Sequence, residues 1–444
     1  MKNAIAILFA LFIAHPNYAQ SNNRILINNV QIFNGKDNKL IRGNILIEGN
    51  LIKTISSNTI AIDTMHAVKV IDGQGKFLMP GLIDAHVHLL FESVPQMQAM
   101  MSDFAILNLI AAKAAEKQLL RGFTTVRDLG GGALTLAKAI DMGLVDGPRV
   151  YASGAFISQT GGHGDFGLPT DVPRKIGELS YAESNGMVAV ADGADNVLMR
   201  TREQLRQGAT QIKLMAGGGV SSDYDPLDVA QYTEAEFKAA VVAAENWGTY
   251  VTVHAYTPLA IRTAINAGVK CIDHGQLADD ATAKLMAEKG IWWSLQPFLD
   301  NPKTTPFPEG SKNRLKQIEM TTGTDNAFAL AKKYNIKTAW GTDVLFDPKI
   351  AASQGAKLSA MTRWYTPFEV LKMATATNAA LLRLSGKRDP YQKGKLGEIS
   401  EGAYADLIIV NGNPLEQIKL VEDPDANFLL IMKDGKIYKD ILNK

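Results

Sequence analysis

The chain of 444 residues is poor in three features that define large classes of protein. It has one cysteine, Cys271, so an internal disulfide framework is excluded. Its formal net charge is +1 and it has no basic run, so it lacks the electrostatic footprint of a protein that binds nucleic acid or an anionic membrane. The chain has 46% hydrophobic and 20% charged residues, which is the composition of a globular protein. Such a chain is long enough for one large domain and a smaller one.

Long hydrophobic runs are also rare, and the clearest one lies at the N-terminus. The apolar segment 4–14 follows Lys2 and precedes the small residue Ala19, which is the arrangement of a cleavable signal peptide. This run is shorter than the roughly 20 residues that span a bilayer, so we expect no stable membrane span. We expect residues 1–19 to direct export to a periplasm or beyond and then to be removed. A buried N-terminal helix is the alternative.

Two patterns divide the rest of the chain. Residues 20–79 and 392–444 contain short alternating runs separated by Gly and Asn, which predict a small β-sandwich-like domain built from both chain ends. Residues 80–391 repeat strand, loop and helix through eight strands. This repeat predicts an α/β fold, a (β/α)8 TIM barrel. The connection 154–209 is long and rich in glycine, as expected of an insertion at an active site.

The most informative stretch opens the predicted barrel and reads Gly81-Leu-Ile-Asp-Ala-His-Val-His-Leu-Leu90. Because side chains alternate between the faces of a strand, residues 84, 86 and 88 should share one face. Two imidazoles on that face make half of a metal site. A pair of core histidines is the usual alternative for an isolated His-x-His. Asp84 lies deeper in the strand and should orient an imidazole.

Alternation makes two further predictions about the later strands. Cys271 lies three residues before His274, so its thiol should point outward to the helix layer. Trp292 and Trp293 are adjacent, so one of them should face inward, where it could form a wall of the pocket.

Residues able to bind a metal recur where the predicted strands end, the face on which barrel enzymes carry out their chemistry. They are His86, His88, Lys213, His254, His274 and Asp343. Lys213 is unusual, because an ammonium beside two dications is unfavourable, so the lysine must be neutral or modified. Each residue taken alone has a simpler explanation, such as an ion-paired lysine or a loop histidine. Their coincidence on five strands favours a metal centre.

These segments resemble the metal-dependent amidohydrolase superfamily over essentially the whole chain after the signal segment. The matching stretches are Pro80–His88, Ile212-Lys213, His254-Ala-Tyr256, Asp273-His-Gly275 and Gly341-Thr-Asp343, with 402–410 near the end of the chain. The resemblance implies two divalent metal ions, usually zinc. One would be held by His86, His88 and Asp343, and the other by His254 and His274. Lys213, carboxylated to a carbamate, would bridge both ions, and its negative charge would resolve the conflict noted above.

Within the superfamily, segments 158–165 and 254–258 resemble prolidase-type dipeptidases and carboxypeptidases. Imidazolonepropionase is a related enzyme with one metal, and the strand-end Lys213 argues against it. Many relatives carry a second histidine two residues after His254, whereas this chain has Tyr256. That departure concerns the substrate pocket.

The resemblance implies hydrolysis of an amide bond in a dipeptide or N-acyl amino acid that has a free C-terminal carboxylate. Asp343 would act as general base and then general acid. His163 would polarise the carbonyl or bind a substrate carboxylate, and Tyr256, Tyr224 and Arg202 are weaker candidates for binding that carboxylate.

Two other functions compete with this interpretation. A cyclic amidase or deaminase on the same barrel is the enzyme alternative. A metal- or solute-binding protein without catalysis would have little use for Asp343 beside a complete ligand set. The sequence does not specify the preferred amino acid, the physiological metal or the oligomeric state, and it is compatible with a homo-oligomer.

Overall fold

The computed structural model describes residues 24–62, 67–175, 177–301 and 307–443. The expected signal peptide, residues 1–19, lies outside these ranges and stays a prediction. Within them, none of the helices combines the length and the apolar character needed to cross a bilayer.

The strands and helices are numbered along the chain. The strands are β1 (Arg24–Phe33), β2 (Leu40–Glu48), β3 (Leu51–Ser56), β4 (Val68–Asp72), β5 (Phe77–Pro80), β6 (Leu82–Val87), β7 (Phe123–Asp128), β8 (Arg149–Ala152), β9 (Phe156–Ser158), β10 (Val188–Val190), β11 (Ile212–Met215), β12 (Val251–Ala255), β13 (Cys271–His274), β14 (Trp292–Leu295), β15 (Thr338–Trp340), β16 (Leu407–Val410), β17 (Phe428–Lys433) and β18 (Lys436–Asp440). The helices are α1 (Gln96–Met101), α2 (Phe104–Leu120), α3 (Leu134–Asp141), α4 (Tyr181–Ser184), α5 (Ala194–Gln207), α6 (Glu234–Trp247), α7 (Pro258–Ala267), α8 (Asp280–Glu288), α9 (Lys312–Thr322), α10 (Thr324–Lys333), α11 (Pro348–Ala351), α12 (Gln354–Ser359), α13 (Pro367–Lys372), α14 (Asn378–Leu382) and α15 (Pro424–Asn427).

Strands from both ends of the described chain share one sheet. Its order is β18-β17-β16-β5-β1-β2-β3, with β4 also paired to β1. The two ends meet where β16 runs antiparallel to β5. In β2, Ile45 and Ile47 are buried while Asn44 and Glu48 are half-buried, the period-two pattern of a strand with one face on a core. Hydrogen bonds therefore link these strands into one continuous sheet rather than two separate sheets, and the division into domains stays a prediction.

The eight strands expected between residues 80 and 391 are present and pair in parallel. They form a sheet β6-β7-β8 and a sheet β9-β11-β12-β13-β14-β15, whose edge also carries the short strand β10 from the 154–209 connection. The third strand joins the two sheets, because its first part, β8, pairs with β7 and its second part, β9, pairs with β11. At the other edge the backbone N–H of Asp343 donates to the carbonyl of His86 at 2.8 Å.

Helices cover the outer face of these parallel strands, and local sequence signals define their ends. Helix α6 is capped at its N-terminus by Thr233, whose hydroxyl and Glu236 form a capping box, and at its C-terminus by Gly248 with φ +74°. Glycine takes this left-handed conformation without the steric cost of a Cβ. The buried face of α6 carries Phe237 and Ala240, and burying a side chain as large as phenylalanine stabilises the fold by about 1.5–3 kcal/mol. The chain can thus turn directly into β12 and place His254 at its end.

Candidate active site

A cavity of about 390 Å³ lies at the carboxyl ends of the parallel strands. Its polar floor is formed by His86, His88, His163, Lys213, His254, His274 and Asp343. Its walls are mostly apolar and include Phe156, Phe166, Tyr256 and Phe298. This size and lining are typical of sites for small organic ligands. The structure therefore brings all six predicted metal ligands to one cavity, together with His163 and Tyr256.

Asp343 is the centre of the histidine group. The Nε2 atoms of His86 and His88 each lie 3.2 Å from its Oδ1, and Nδ1 of His274 lies 3.7 Å from Oδ2. Ligand atoms of His86, His274 and Asp343 all lie within 4.8 Å of one another. The close approach requires Gly341, where a Cβ would lie 2.5 Å from the Cβ of His86.

Hydrogen bonds to backbone carbonyls set the ring orientation of two histidines. Nδ1 of His88 lies 3.2 Å from the oxygen of Gly130, and Nε2 of His254 lies 3.0 Å from the oxygen of Gly218. Since a carbonyl can only accept, these nitrogens carry the proton, which leaves Nδ1 of His254 with its lone pair and Nε2 of His88 facing Oδ1 of Asp343. That is the arrangement found in histidines that bind metals.

Burial favours the neutral form of most of these imidazoles. It lowers the pKa of His86 to about 4 and that of His274 to about 3, and it holds the pKa of His254 well below the ordinary value. Burial would also lower the pKa of His88, but its hydrogen bond with Asp343 raises it. Neutral imidazoles with free lone pairs can bind a divalent ion without first losing a proton.

Lys213 lies at the bottom of the same cavity and is 1% exposed. Its Nζ donates to Oδ2 of Asp273 at 2.7 Å. Burial lowers its pKa, and the charges of Asp273 and Asp343 oppose this shift. Asp273 also accepts a hydrogen bond from the guanidinium of Arg127 at 2.8 Å. A buried lysine with a lowered pKa loses its proton more readily than an exposed one, which favours modification of its amine.

The prediction that Asp84 orients an imidazole is wrong. Its carboxylate accepts hydrogen bonds from the backbone of His86 and Thr342, the hydroxyl of Thr342 and the side-chain amide of Gln354. The register of β6 against β7 is irregular between Asp84 and Val87, so simple alternation does not hold through the motif. The carboxylate nearest to the ring of His86, apart from Asp343, is Asp273 at 3.7 Å from Nδ1.

The prediction that Cys271 points outward is also wrong. His274 has a left-handed φ of +76°, which breaks the alternation on which that prediction depended. Cys271 instead contacts the buried guanidinium of Arg127, with Sγ 3.8 Å from Nη1. Neither tryptophan of β14 lines the cavity. The indole N–H of Trp293 donates to the carbonyl of His274 at 2.6 Å. This hydrogen bond stabilises the end of β13 without placing the indole in the cavity.

His163 lies on the loop after β9 and stacks on a predicted ligand. Its ring is 4.2 Å from that of His254. Its Nδ1 lies 2.8 Å from the hydroxyl of Ser222 and 3.7 Å from Oδ2 of Asp225. Burial lowers its pKa to about 4, so the ring is neutral at neutral pH. Gly219 allows this packing, because a Cβ there would lie 1.9 Å from the imidazole.

Comparison with known proteins identifies the family. An amidohydrolase family model matches residues 77–438. The protein is an amidohydrolase. Ochratoxinase from Aspergillus niger is 34% identical to it over 378 residues, which cover 82% of this chain and 75% of that protein.

Two solved structures are also similar to this amidohydrolase. One is a prolidase in complex with N-methylphosphonate-L-proline, with TM-score 0.83, 32% identity and coverage of 94% of this chain and 100% of that chain. The other is a Xaa-Pro dipeptidase with methionine bound in the active site, with TM-score 0.80, 30% identity and coverage of 94% and 100%. The sequence prediction of a hydrolytic enzyme with prolidase-type relatives is confirmed.

The donor set of the amidohydrolase fits a metal ion. Imidazole and carboxylate are ligands that divalent transition metals prefer, and here they converge on the buried floor of the cavity. The family is generally metal-dependent, and the group formed by His86, His274 and Asp343 agrees with that.

Two predicted substrate contacts do not reach the cavity of the amidohydrolase. Tyr224 is 46% exposed, and its hydroxyl donates to the carbonyl of Gly167. Arg202 lies on α5 and lines a separate surface depression beside Asp195 and Glu203. Both positions depend on how a loop and a helix pack, which the sequence pattern does not specify.

Sequence reasoning missed several residues that support the site. Arg127 is fully buried and donates to Ala85 and Ser294 as well as to Asp273. An arginine within the buried strand Phe123–Asp128 was the available signal. Ser222 and Asp225, which contact His163, lie in a polar loop with no pattern that distinguishes them.

Proposed function

We propose that this amidohydrolase is an exported binuclear metallohydrolase. Its substrates are dipeptides or N-acyl amino acids with a free C-terminal carboxylate, and it cleaves their amide bond. The observation that carries this proposal is the convergence of four histidines, Lys213 and Asp343 on one cavity. We also propose that the two parallel sheets close into one (β/α)8 barrel. The third strand pairs with both sheets through β8 and β9, and β15 contacts β6 at the other edge.

The side chains suggest how two ions would be held. His86, His88 and Asp343 would bind one ion, His254 and His274 would bind the other, and Lys213 as a carbamate would bridge them. Bound there, two divalent ions, zinc by ligand type, would activate water as the nucleophile and polarise the amide carbonyl. The bond from Nε2 of His254 to the carbonyl of Gly218, and the approach of Nε2 of His88 to Asp343, are consistent with this assignment.

Asp343 is the residue suited to move the proton. Burial alone would raise its pKa, but His86 and His274 lower it well below the ordinary value. The carboxylate is therefore ionised at neutral pH and can accept a proton from the attacking water. It then delivers this proton to the nitrogen of the leaving amine, which would otherwise depart as an unstable anion.

His163 is placed to act on the carbonyl. When the hydroxyl of Ser222 donates to its Nδ1, the proton of the neutral ring lies on Nε2 and can be donated to the carbonyl oxygen of the substrate. The neutral state matters, since a protonated ring stacked at 4.2 Å on His254 would repel the neighbouring cations. Ser222 and Asp225 hold the ring in place.

The substrate class is supported by relatives and by the cavity. The prolidase and Xaa-Pro dipeptidase structures suggest dipeptides, and the apolar walls formed by Phe156, Phe166 and Phe298 suit an apolar side chain. A volume of about 390 Å³ accommodates a dipeptide or an acyl amino acid of similar size.

Metal analysis together with a substrate screen tests the proposal. We expect two equivalents of zinc per chain and turnover of Xaa-Pro or Xaa-Lys dipeptides or of N-acyl amino acids. The variant Asp343→Asn is the control for activity that depends on this site. Turnover confined to cyclic amides or aminated heterocycles would replace this function with that of a cyclic amidase or deaminase.

Export has its own test. We expect the mature protein, recovered from the periplasm or the medium of the producing cell, to begin after Ala19. N-terminal sequencing of that fraction measures the cleavage point, and an intact N-terminus in the cytosol would contradict export.

A further inference from the structure

A second lysine lines the cavity and has no role in the chemistry described above. Lys357 lies on α12. Apart from the histidines, the described residues that line the cavity include two that carry basic side chains, Lys213 and Lys357. Lys213 is bound to Asp273 at the cavity floor. Lys357 lies on the wall, near the ring of Phe298, whose centroid is 5.9 Å from Nζ.

The ammonium of Lys357 is not paired with an acceptor among the residues that the structure describes. Within the described ranges its Nζ forms neither a hydrogen bond nor an ion pair, and it lies against the ring of Phe298. Lys316, just outside the cavity, shows the contrast, because its Nζ donates to the carbonyls of Gly219, Ser222 and Asp225. Lys316 anchors a loop, whereas Lys357 is available to a ligand.

An anionic ligand group would complement the partly buried ammonium of Lys357. Burial lowers its pKa, and the charges of Asp343, Asp84 and Asp347 oppose this shift. A ligand with no acceptor at this position would remove water from the ammonium without replacing its hydrogen bonds, which is unfavourable. A carboxylate would replace them with a charge-assisted hydrogen bond in a water-poor site.

We propose that Lys357 binds the C-terminal carboxylate of the substrate and thereby makes the enzyme selective for free acids over the corresponding amides. This inference rests on the proposed amide hydrolysis and adds the residue that recognises the acid. Phe298 faces the alkyl part of the same ligand. Binding of the substrate carboxylate, which was predicted for Arg202 and Tyr224, thus belongs to Lys357 on the cavity wall.

The test compares a matched pair of ligands on matched variants of the metal-loaded full chain. The pair is the best free-acid substrate from the screen and its C-terminal carboxamide. Lys357→Met keeps most of the side-chain volume and removes the charge. We expect kcat/KM for the free acid to fall about 10- to 100-fold, the effect of losing a hydrogen bond to a charged group, while kcat/KM for the carboxamide changes less than about twofold. Lys357→Arg should retain most of the preference.

Two controls keep this inference separate from the proposed function. Lys349→Met removes an exposed lysine on the neighbouring helix α11 and should leave both substrates unaffected. Calorimetry with N-acetyl-L-phenylalanine and N-acetyl-L-phenylalaninamide measures recognition without turnover. An unchanged acid preference in Lys357→Met, or equal binding of acid and amide by the unsubstituted protein, overturns the role of Lys357 while amide hydrolysis stands. If the protein turns over none of the substrates but still binds the acid more tightly than the amide, and Lys357→Met abolishes that preference, the proposed function is overturned and the role of Lys357 stands.

Discussion

Nζ of Lys213 lies 2.7 Å from Oδ2 of Asp273, beneath the predicted metal ligands. The same carboxylate accepts from Arg127 and from the hydroxyl of Thr252 at 2.7 Å. Asp273 is thus the anion to which two buried cations are bound, and its pKa lies far below the ordinary value because Lys213 and Arg127 outweigh the effect of burial, which would raise it. The pair connects the candidate metal centre to the interior of the protein.

Replacing Lys213 tests the bridging role. We expect Lys213→Ala to lose most bound metal and at least about 100-fold in activity, since one of the bridging ligands would be gone. Short carboxylic acids that occupy the same space should restore part of both. Metal content per chain and kcat, with and without added acid, are the measurements. Two retained metal ions and a normal rate in this variant would show that Lys213 does not bridge them.

Replacing Arg127 tests how strongly the interior depends on the charge of Asp273. Arg127→Met leaves a buried carboxylate with one fewer counter-charge, so we expect the metal-free protein to lose about 3–5 kcal/mol of unfolding free energy. Arg262→Met is the control, because Arg262 pairs with Asp279 on the surface, and such pairs contribute at most about 1 kcal/mol. Urea unfolding of both variants measures their unfolding free energies. Equal losses of unfolding free energy would contradict the special role of the buried pair.

Glu92 predicts a pH dependence of stability. Its side chain is 3% exposed, and burial raises its pKa from 4.5 to about 7, against the opposing charge of Arg121. Between these values the folded protein binds a proton that the unfolded chain has lost, so the unfolding free energy falls as pH rises through this window. Glu92→Gln has no charge to bury, so we expect it to be more stable than the unsubstituted protein by about 2–3 kcal/mol at pH 8 and equally stable near pH 4. Unfolding curves at the two pH values measure this, and a pH-independent difference would argue against a titrating Glu92.

His163 should affect the rate without affecting the metal. We expect His163→Asn to lower kcat by about 100- to 1,000-fold, the usual effect of removing a donor to a developing oxyanion, with metal content unchanged. Ser222→Ala should cost about tenfold, because Ser222 only orients the ring. Loss of metal in His163→Asn would instead identify His163 as a ligand.

The strand and helix positions of the parallel region could be predicted because they depend on local patterns. The eight strands predicted between residues 80 and 391 are present, and the stretch 81–90 that was predicted to open them contains β6. Alternation failed at Asp84 and Cys271 because the backbone departs from regular strand geometry between Asp84 and Val87 and at His274. Such departures depend on neighbouring strands and leave no periodic signal in the sequence.

The sequence by itself determined the class of fold, the family resemblance and the residue types at the strand ends, since apolar periodicity, turn residues and the His-x-His motif are all local. Only the tertiary structure decided which distant residues meet. Arg127 contacts Asp273 inside the protein, Lys357 faces the cavity, and Arg202 lies on an outer helix surface. The physical reason is that burial and charge pairing depend on how sheets and helices pack, and residues more than a hundred positions apart share no pattern that reveals their contact.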